Sequence, residues 1–577
     1  MTSDRLFDDR GGSPLFDDID AALRSSPAGP TVRGVATRRS ALWAAYGDAL
    51  GWISELTDEA GLRRRTNGKE LRVPVAWKRH IGGRGGVNAM LPAGCYSDDT
   101  QLRIATGRAI GATGFDVEAF AKVELPVWLG YALGGGTSTK AAAANLAKPT
   151  TSWFLNTYPG WLESGGNGAA MRIQPLVWSA RQLDDPSQYL LPVFRNAICT
   201  HAHPVGLMGA VLHAVCLAYT LENSVVPQPG AVAELIAVAV ALPASLGTDD
   251  EVGQFWLARW EHESGQSFTT AWKAIAHEAA EIFEHAADAA ATGTGAERYG
   301  RVIGALGLRD PDRRGSGLST AIAAVALTWC EERPPEAMAL AANTIGTDTD
   351  TIATMAGALL GVVADSDPIL EVLDAALIRR EADRMTSLAS GDRPPAHRYP
   401  DLLTWSAPKT QADALAATPD GSLYVVGLGP VSDVIGDPLP ASQGGFLWQW
   451  VKLATGQTLL IKRRRDLAVI HQIQQSTGET RSTTSSRKEE TEMSVTERPQ
   501  REPPGGERGP SRSSSAAGSD MRPNRPLDLE RVMSYVESEG LDDRAIGYAV
   551  RRVAREGTTG QVAAFLGVLL ERLRLPK

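Results

Sequence analysis

The sequence predicts an all-α domain of several hundred residues, followed by a small β-containing segment, a disordered linker and a small C-terminal helical module. Three observations carry this. From about Arg38 to Arg393, Ala, Leu and Val recur at helical spacing with few strand-like runs. Beyond Pro400 the pattern turns to short β-type runs around turn signals. Between Gln475 and Pro526 apolar residues almost vanish. A chain of 577 residues is also too long for one small core, so several folded units are expected.

The elements follow in order. Residues 1–38 are polar and rich in Gly and Pro, and Leu6-Phe7-Asp8-Asp9 returns as Leu15-Phe16-Asp17-Asp18. This reads as a disordered tail; a Leu-Phe motif docking on a partner is the sharper alternative. Residues 39–395 form the helical domain, with helices expected over 100–110, 115–130, 192–219, 272–290, 319–329 and 350–363. The glycine-rich stretches Gly82-Gly-Arg-Gly-Gly86, Gly134-Gly-Gly136 and Glu163-Ser-Gly-Gly-Asn-Gly168 are loops. The apolar run from Val232 to Pro243 contains Glu234 and ends at a proline. It is too short for a membrane span and is expected to be a buried helix.

In the segment 400–470, Gly421-Ser-Leu-Tyr-Val-Val-Gly427 resembles a strand. Residues 446–453 and 458–462 flank Ala454-Thr-Gly-Gln457 as a hairpin, either packed on the helical domain or separate from it. Residues 475–526 are rich in Ser, Thr, Arg, Glu, Pro and Gly and cannot bury enough surface to offset their ordering entropy. Residues 527–577 carry amphipathic stretches over 527–539, 541–556 and 558–573, separated at Gly540 and Gly557. On a tether, such a unit is expected to be an interaction module.

Composition narrows the classes. The hydrophobic fraction of 43% and charged fraction of 22% are ordinary for a soluble protein. A net charge of −9 argues against a nucleic-acid binder acting through overall charge. Cys95, Cys199, Cys216 and Cys330 are far apart with no CxxC pair, which fits a reducing compartment. The N-terminus carries Asp4, Asp8 and Asp9 where a signal peptide carries basic residues. A cytoplasmic protein that avoids membranes is expected.

Two segments carry the chemistry. Ser97-Asp98-Asp99-Thr100 and Asp348-Thr349-Asp350-Thr351 cluster carboxylates and hydroxyls where helices begin. Such oxygen sets suit hard cations, not zinc or copper. A helix cap is the structural alternative for each, since Ser and Asp are common N-caps. Counted from Asp348 as an EF-hand loop, the sixth and twelfth positions are Ala353 and Leu359, where Gly and Glu are required. A phosphatase-type DxDx(T/V) loop needs a preceding apolar strand, and Ala341 to Thr347 is a poor one. Brought together, the two clusters have enough carboxylates for two divalent ions.

Three further segments complete a pattern: Gly47-Asp-Ala-Leu-Gly51 with Glu55, Asn167-Gly-Ala-Ala-Met-Arg172, and Thr200-His201. With Ser97-Asp-Asp-Thr100 and Gly346-Thr-Asp-Thr-Asp-Thr-Ile-Ala353 they resemble, in order, the motifs of the ADP-ribosylglycohydrolase family, of the dinitrogenase-reductase-activating glycohydrolase type. Thr347 replaces a glycine of the last motif, and Ser97 replaces the commoner threonine. The resemblance covers about Ser40 to Ser390.

It implies an all-α fold with two Mg²⁺ or Mn²⁺ ions held by Ser97, Asp98, Asp99, Asp348, Asp350 and Thr351. It implies Glu55 on a mobile loop over the distal ribose, and Glu55, Asp98, Asp99 and Asp350 as the catalytic set. Asn167, Gly168, Ala169 and Met171, with His201, are the expected substrate-binding residues. The implied activity is hydrolytic removal of ADP-ribose from a protein side chain or related acceptor. The rival is a catalytically silent ADP-ribose-binding scaffold that recruits a protein partner through its C-terminal helices.

Other candidates read as structural. His203 is expected to be structural, and His277 and His285 to lie on a solvated face. Gly427-Leu-Gly429 is half a dinucleotide fingerprint without its third glycine. Trp448, Trp450 and Lys462-Arg-Arg-Arg465 read as a hairpin with a charged face in preference to a nucleic-acid site.

Overall fold

The computed structural model describes residues 31–402 and 404–469 and, nearer the C-terminus, 529–538, 540, 541, 543–556 and 559–574. The Leu-Phe repeat and the stretch 475–526 lie outside the described residues. The chain divides between Thr480 and Arg481 into two units.

Helix α1 (Val32–Gly51) begins the first unit, N-capped by Thr31, whose hydroxyl accepts the Gly34 N–H at 3.0 Å. It therefore starts inside the span read as tail. From Ser40 to Gly51 it is buried, because four more helices surround it or its partners: α3 (Pro204–Asn223), α5 (Gly317–Cys330), α6 (Thr349–Val363) and α7 (Ala375–Ala389). Between them in sequence come α2 (Asp98–Arg108), which carries part of the site, and the long outer helix α4 (Phe268–Ala290). α3 and α5 are apolar nearly all round and buried nearly throughout, as a helix without a wet face must be. By length and composition α3 and the stretch Pro229–Leu246 are apolar enough to cross a membrane, but 89% of the α3 window is packed inside the unit.

α1 and α6 meet backbone to backbone. A methyl group on Gly47 would come within 2.6 Å of the Ala353 carbonyl carbon, and on Gly51 within 2.5 Å of the Asp350 Cα. From the other side, one on Gly357 would reach 2.8 Å from the Trp43 carbonyl carbon and one on Gly361 2.6 Å from the Arg39 carbonyl oxygen. Side-chain hydroxyls then fix the register: Ser40 donates to Ala358 O at 2.7 Å, Thr354 to Ala44 O at 2.7 Å and Thr349 to Gly51 O at 2.8 Å.

Several elements differ from the expectation. The helix expected over 192–219 is two, Leu190–Ile198 and α3, split at Thr200-His-Ala-His-Pro204 because Pro204 starts a new helix. The helix over 115–130 widens to a π stretch at Phe120–Glu124 just ahead of Pro126, which has no N–H to give. The run at 232–243 is helical from Val232 to Val240, yet only Val232, Leu235, Ile236 and Ala239 are buried there, so it is a surface helix. Strands β1 (Trp77–Ile81) and β2 (Val87–Leu91) flank the glycine turn at 82–86 as an antiparallel hairpin, where the sequence pattern predicts only the loop.

The β-containing segment packs on the helical domain and shares its core. Its strands are β3 (Leu415–Ala417), β4 (Leu423–Val425), β5 (Gly429–Pro440), β6 (Leu447–Leu453) and β7 (Thr458–Arg463), antiparallel in sequence order. Leu415, Val425, Val451, Leu459, Leu460 and Ile461 join the main hydrophobic cluster. Partly buried polar bonds add to this. Asp374 accepts the N–H and hydroxyl of Thr458, both at 2.7 Å, and the hydroxyl of Tyr96 at 2.7 Å. All four cysteines are buried free thiols.

The second unit has α8 (Leu529–Ser538), α9 (Asp543–Glu556) and α10 (Thr559–Arg574). Val532, Met533, Val536, Ala549, Val553, Phe565 and Leu569 make a separate small core.

Candidate active site

Ser97 is the N-cap of α2, and its hydroxyl accepts the Asp99 N–H at 3.2 Å. The first turn is closed from outside by Asp48 of α1. That buried carboxylate accepts the Ser97 N–H at 2.9 Å, the Thr100 N–H at 2.9 Å and the Thr100 hydroxyl at 2.6 Å. Asp98 and Asp99 are thus set on a helix N-terminus fastened to α1. Asp98 faces Gly134, whose φ of +116° and lack of a side chain leave room for the carboxylate. Asp99 Oδ2 is buried with no hydrogen-bond partner.

The second carboxylate group sits at the start of α6. Asp348 occupies the N-cap position, and its Oδ2 accepts from Asn167 Nδ2 at 2.8 Å. Asp350 lies in the first turn and accepts the Thr351 N–H at 2.9 Å; Thr351 is buried beside it. One carboxylate oxygen from each of Glu55, Asp348 and Asp350 lies within 4.8 Å of the others.

Glu55 stands in the short loop after α1. Arg79 on β1 donates to its Oε2 at 3.0 Å, and Arg65 donates to its main-chain carbonyl at 3.1 Å. The Arg79 guanidinium lies 5.0 Å from the Trp52 ring and 5.6 Å from the Trp77 ring. The next residue, Leu56, is exposed and takes φ +50°, a left-handed conformation that costs a leucine energy.

Gly165, Gly166, Asn167 and Gly168 form the half-open turn beside this cluster. The Asn167 N–H donates to Gly315 O at 3.0 Å and the Gly317 N–H to Gly165 O at 2.9 Å, so the start of α5 supports the turn. Ala169 and Met171 lie behind it in the core, and the Met171 carbonyl accepts from Arg103 at 3.0 Å. Buried Arg172 reaches Gly168 O at 3.0 Å, Asn196 Oδ1 at 2.9 Å and the Thr200 hydroxyl at 2.8 Å. It thereby joins the turn to the His201 segment. His201 Nδ1 is 2.8 Å from the Thr200 hydroxyl, and its other edge approaches Gly168. Burial, then the Arg172 charge, push His201 down to about 3, so the ring is neutral. His203 accepts the Val205 N–H at the N-cap of α3, a structural role as expected.

Electrostatics bind the carboxylates into one set. Burial raises Asp99 well above its ordinary range, and Asp48, Asp98 and Asp348 raise it further. Asp350 is raised by burial, then by Glu55, Asp99 and Asp348. Burial, Glu55 and Asp48 bring Asp98 up to about 7, against a smaller opposing pull from Lys140. Glu55 is raised by burial, opposed by Arg79 and reinforced by Asp348 and Asp48. Unneutralised carboxylates this close repel one another. An oxygen-only donor set, an orphaned buried Asp99 oxygen and mutual repulsion together fit a hard divalent cation.

The structure therefore brings together carboxylates from three separated segments: Glu55, Asp98 with Asp99, and Asp348 with Asp350. Ser97, Thr351, Asn167, Gly168 and His201 are beside them. Asp48, Arg79 and Arg103 were missed as supporting residues. Asp48 lies within a quoted motif, but its partners are residues 97 and 100, and nothing in the local pattern shows that. Arg103 is one of several polar residues along α2, Gln101 and Arg108 among them, and nothing in the local pattern sets it apart.

Fold and site define an all-α protein with a buried carboxylate cluster beside a glycine-rich turn. The chain belongs to the ADP-ribosylglycohydrolase family, whose profile matches residues 38–395. Among solved structures it is similar to an "ADP-ribosylglycohydrolase-related protein complex", with 20% identity and a TM-score of 0.39. That match covers 62% of this chain and 99% of the other. No curated protein matches it.

Proposed function

We propose that this chain is a metal-dependent hydrolase that removes ADP-ribose from a modified protein side chain or a related acceptor. The observation that carries the reading is the gathering of Glu55, Asp98, Asp99, Asp348 and Asp350 against the turn 165–168. Ser97, Asp98, Asp99, Asp348, Asp350 and Thr351 would hold two Mg²⁺ or Mn²⁺ ions. When bound, such ions supply Lewis acidity toward a ribose diol and a nucleophilic water at neutral pH.

The chain's own residues do the rest. The Asn167 side chain and the N–H groups of Gly166 and Gly168 bind the diphosphate and ribose, with Ala169 and Met171 supporting the turn from behind. Neutral His201 packs against Gly168 and offers a hydrogen bond without adding charge. With its Oε2 engaged by Arg79, Glu55 keeps Oε1 to hold or move a proton at the anomeric centre. Cleavage there passes through an oxocarbenium-like state that nearby carboxylates stabilise.

The test is release of free ADP-ribose from arginine-, serine- and nucleic-acid-linked substrates in Mg²⁺ or Mn²⁺. Release from one of them supports the reading. Metal and ADP-ribose binding without release from any of the three refutes it in favour of the silent scaffold.

A further inference from the structure

The C-terminal sheet lies outside the family's matched residues, yet it grips the part of the domain that holds Glu55. Trp448 on β6 is buried, and its indole fills the space over Gly82, which has φ +86°. The Trp448 Nε1–H donates to Gly85 O at 3.2 Å. Ser442, between β5 and β6, donates its N–H to Gly86 O at 2.7 Å and its hydroxyl to Arg84 O at 3.0 Å. Three consecutive carbonyls of the β1–β2 turn are therefore taken by the sheet.

From this turn β1 runs back through Ile81 to Arg79, in register with Ala89 of β2. Arg79 is the residue that holds the Glu55 carboxylate. Trp77 and Trp52, whose rings meet edge to face at 5.3 Å, flank its guanidinium. The loop it stabilises contains the left-handed Leu56, a conformation that its own sequence does not favour. Contacts from elsewhere must hold it: Arg65 donates to the carbonyls of Ile53 and Glu55 at 2.8 and 3.1 Å, and Arg79 of the hairpin holds the Glu55 carboxylate at 3.0 Å. A second attachment reaches the other half of the site: Thr458 of β7 and Tyr96, the neighbour of Ser97, share Asp374.

We propose that the appended sheet is a positioning element of the active site, in which Trp448 locks the β1–β2 turn so that Arg79 fixes Glu55. The kinetic part of this rests on the hydrolase reading above; the mechanical part does not. The alternative is a sheet that only stabilises the fold.

The experiment uses the full chain with Trp448→Ala, Trp448→Phe, Arg79→Ala and the Trp448→Ala/Arg79→Ala double variant. Hydrogen exchange is followed over 52–57 and 77–91, alongside kcat and KM for ADP-ribose release. Trp448→Ala is expected to speed exchange in both segments and, by releasing Arg79 from Glu55, to lower kcat by about 10- to 100-fold, the usual effect of losing a partner such as Arg79 from a site residue. KM should change little. Arg79→Ala should give a similar loss, and the double variant no more than either single one. Trp448→Phe, which keeps a ring over Gly82, should recover most of kcat.

Additive losses, or faster exchange confined to 77–91 with 52–57 unchanged, would overturn the proposal. So would a fall in stability with kcat intact. If Trp448→Ala does not fold, Ser442→Ala removes one carbonyl clamp and should shift the same two exchange segments by less; no shift at 52–57 counts against it. If the unaltered chain releases no ADP-ribose, the hydrolase reading fails, and exchange at 52–57 still decides the coupling.

Discussion

At the scale of single residues, the carboxylates explain both the strength and the cost of the site. Asp350→Asn removes one of the mutually repelling charges. It is expected to abolish turnover and weaken Mn²⁺ binding in calorimetry, while the metal-free protein melts at the same or a higher temperature. A lower melting temperature would mean that Asp350 supports the fold. The pH dependence follows by linkage. Asp98, Asp99 and Asp350 hold protons more tightly folded than unfolded, so the native state binds more protons and stability falls as pH rises through their folded values. Between about pH 6.5 and 8, above the unfolded histidine and below the unfolded cysteine values, this trend is not opposed by the buried histidines. The melting temperature of chelator-treated protein should therefore drop across that window, and saturating Mn²⁺ should flatten the slope. A rise would contradict it. Residues 97–100 and 348–351 were legible because carboxylates and hydroxyls cluster there at helix starts. Asp48 and Arg79 were not, because their roles depend on partners 24 or more positions away.

Among the elements, the α1–α6 contact has the most to say about stability. Gly357→Ala places a methyl against the Trp43 backbone, nearly two helical turns from Asp350. It should destabilise by about 1–3 kcal/mol, as overpacking of a filled core does, measured by urea unfolding, with Mn²⁺ affinity kept. An unchanged midpoint would show that the helices can part without cost. Long periodic helices such as α4 and α5 were readable from the sequence, with boundaries shifted by a few residues. The end of one apolar stretch and the start of another are marked by Thr200-His-Ala-His-Pro204, although the helix expected over 192–219 crosses it. The π stretch was not readable, since apolar periodicity runs straight through it. The β1–β2 hairpin was hidden because Lys78, Arg79 and His80 interrupt any alternation between Trp77 and Ile81.

At the scale of the whole molecule, the division at residue 480 and the two separate cores give different expectations for two truncations. Ending the chain near Gln475 should leave release of ADP-ribose from a small substrate unchanged. Ending it near Pro400 strips buried Trp448, Val451, Leu459, Leu460 and Ile461 from the shared core and should give an insoluble or strongly destabilised product. Loss of small-substrate activity on the first cut would refute the tethered-module expectation for residues 527–577. The sequence marked the sheet as a change of character after Pro400. It did not show whether the sheet packs on the helices, because the carbonyls that Trp448 and Ser442 engage belong to residues more than 350 positions earlier.

The four buried thiols carry a consequence for how this protein can be watched. Burial lifts Cys199 and Cys216 to about 12, Cys330 to about 11, and Cys95 well above its ordinary value, so none is a reactive thiolate at neutral pH. Cys95 precedes Tyr96 and Ser97, Cys199 adjoins Thr200 and His201, and Cys216 lies in the middle of α3. An alkylating reagent therefore meets them only during openings of the chain. Their separate labelling rates time the loosening of the start of α2, the Thr200–His201 segment and the core, using reporters already present in the native sequence.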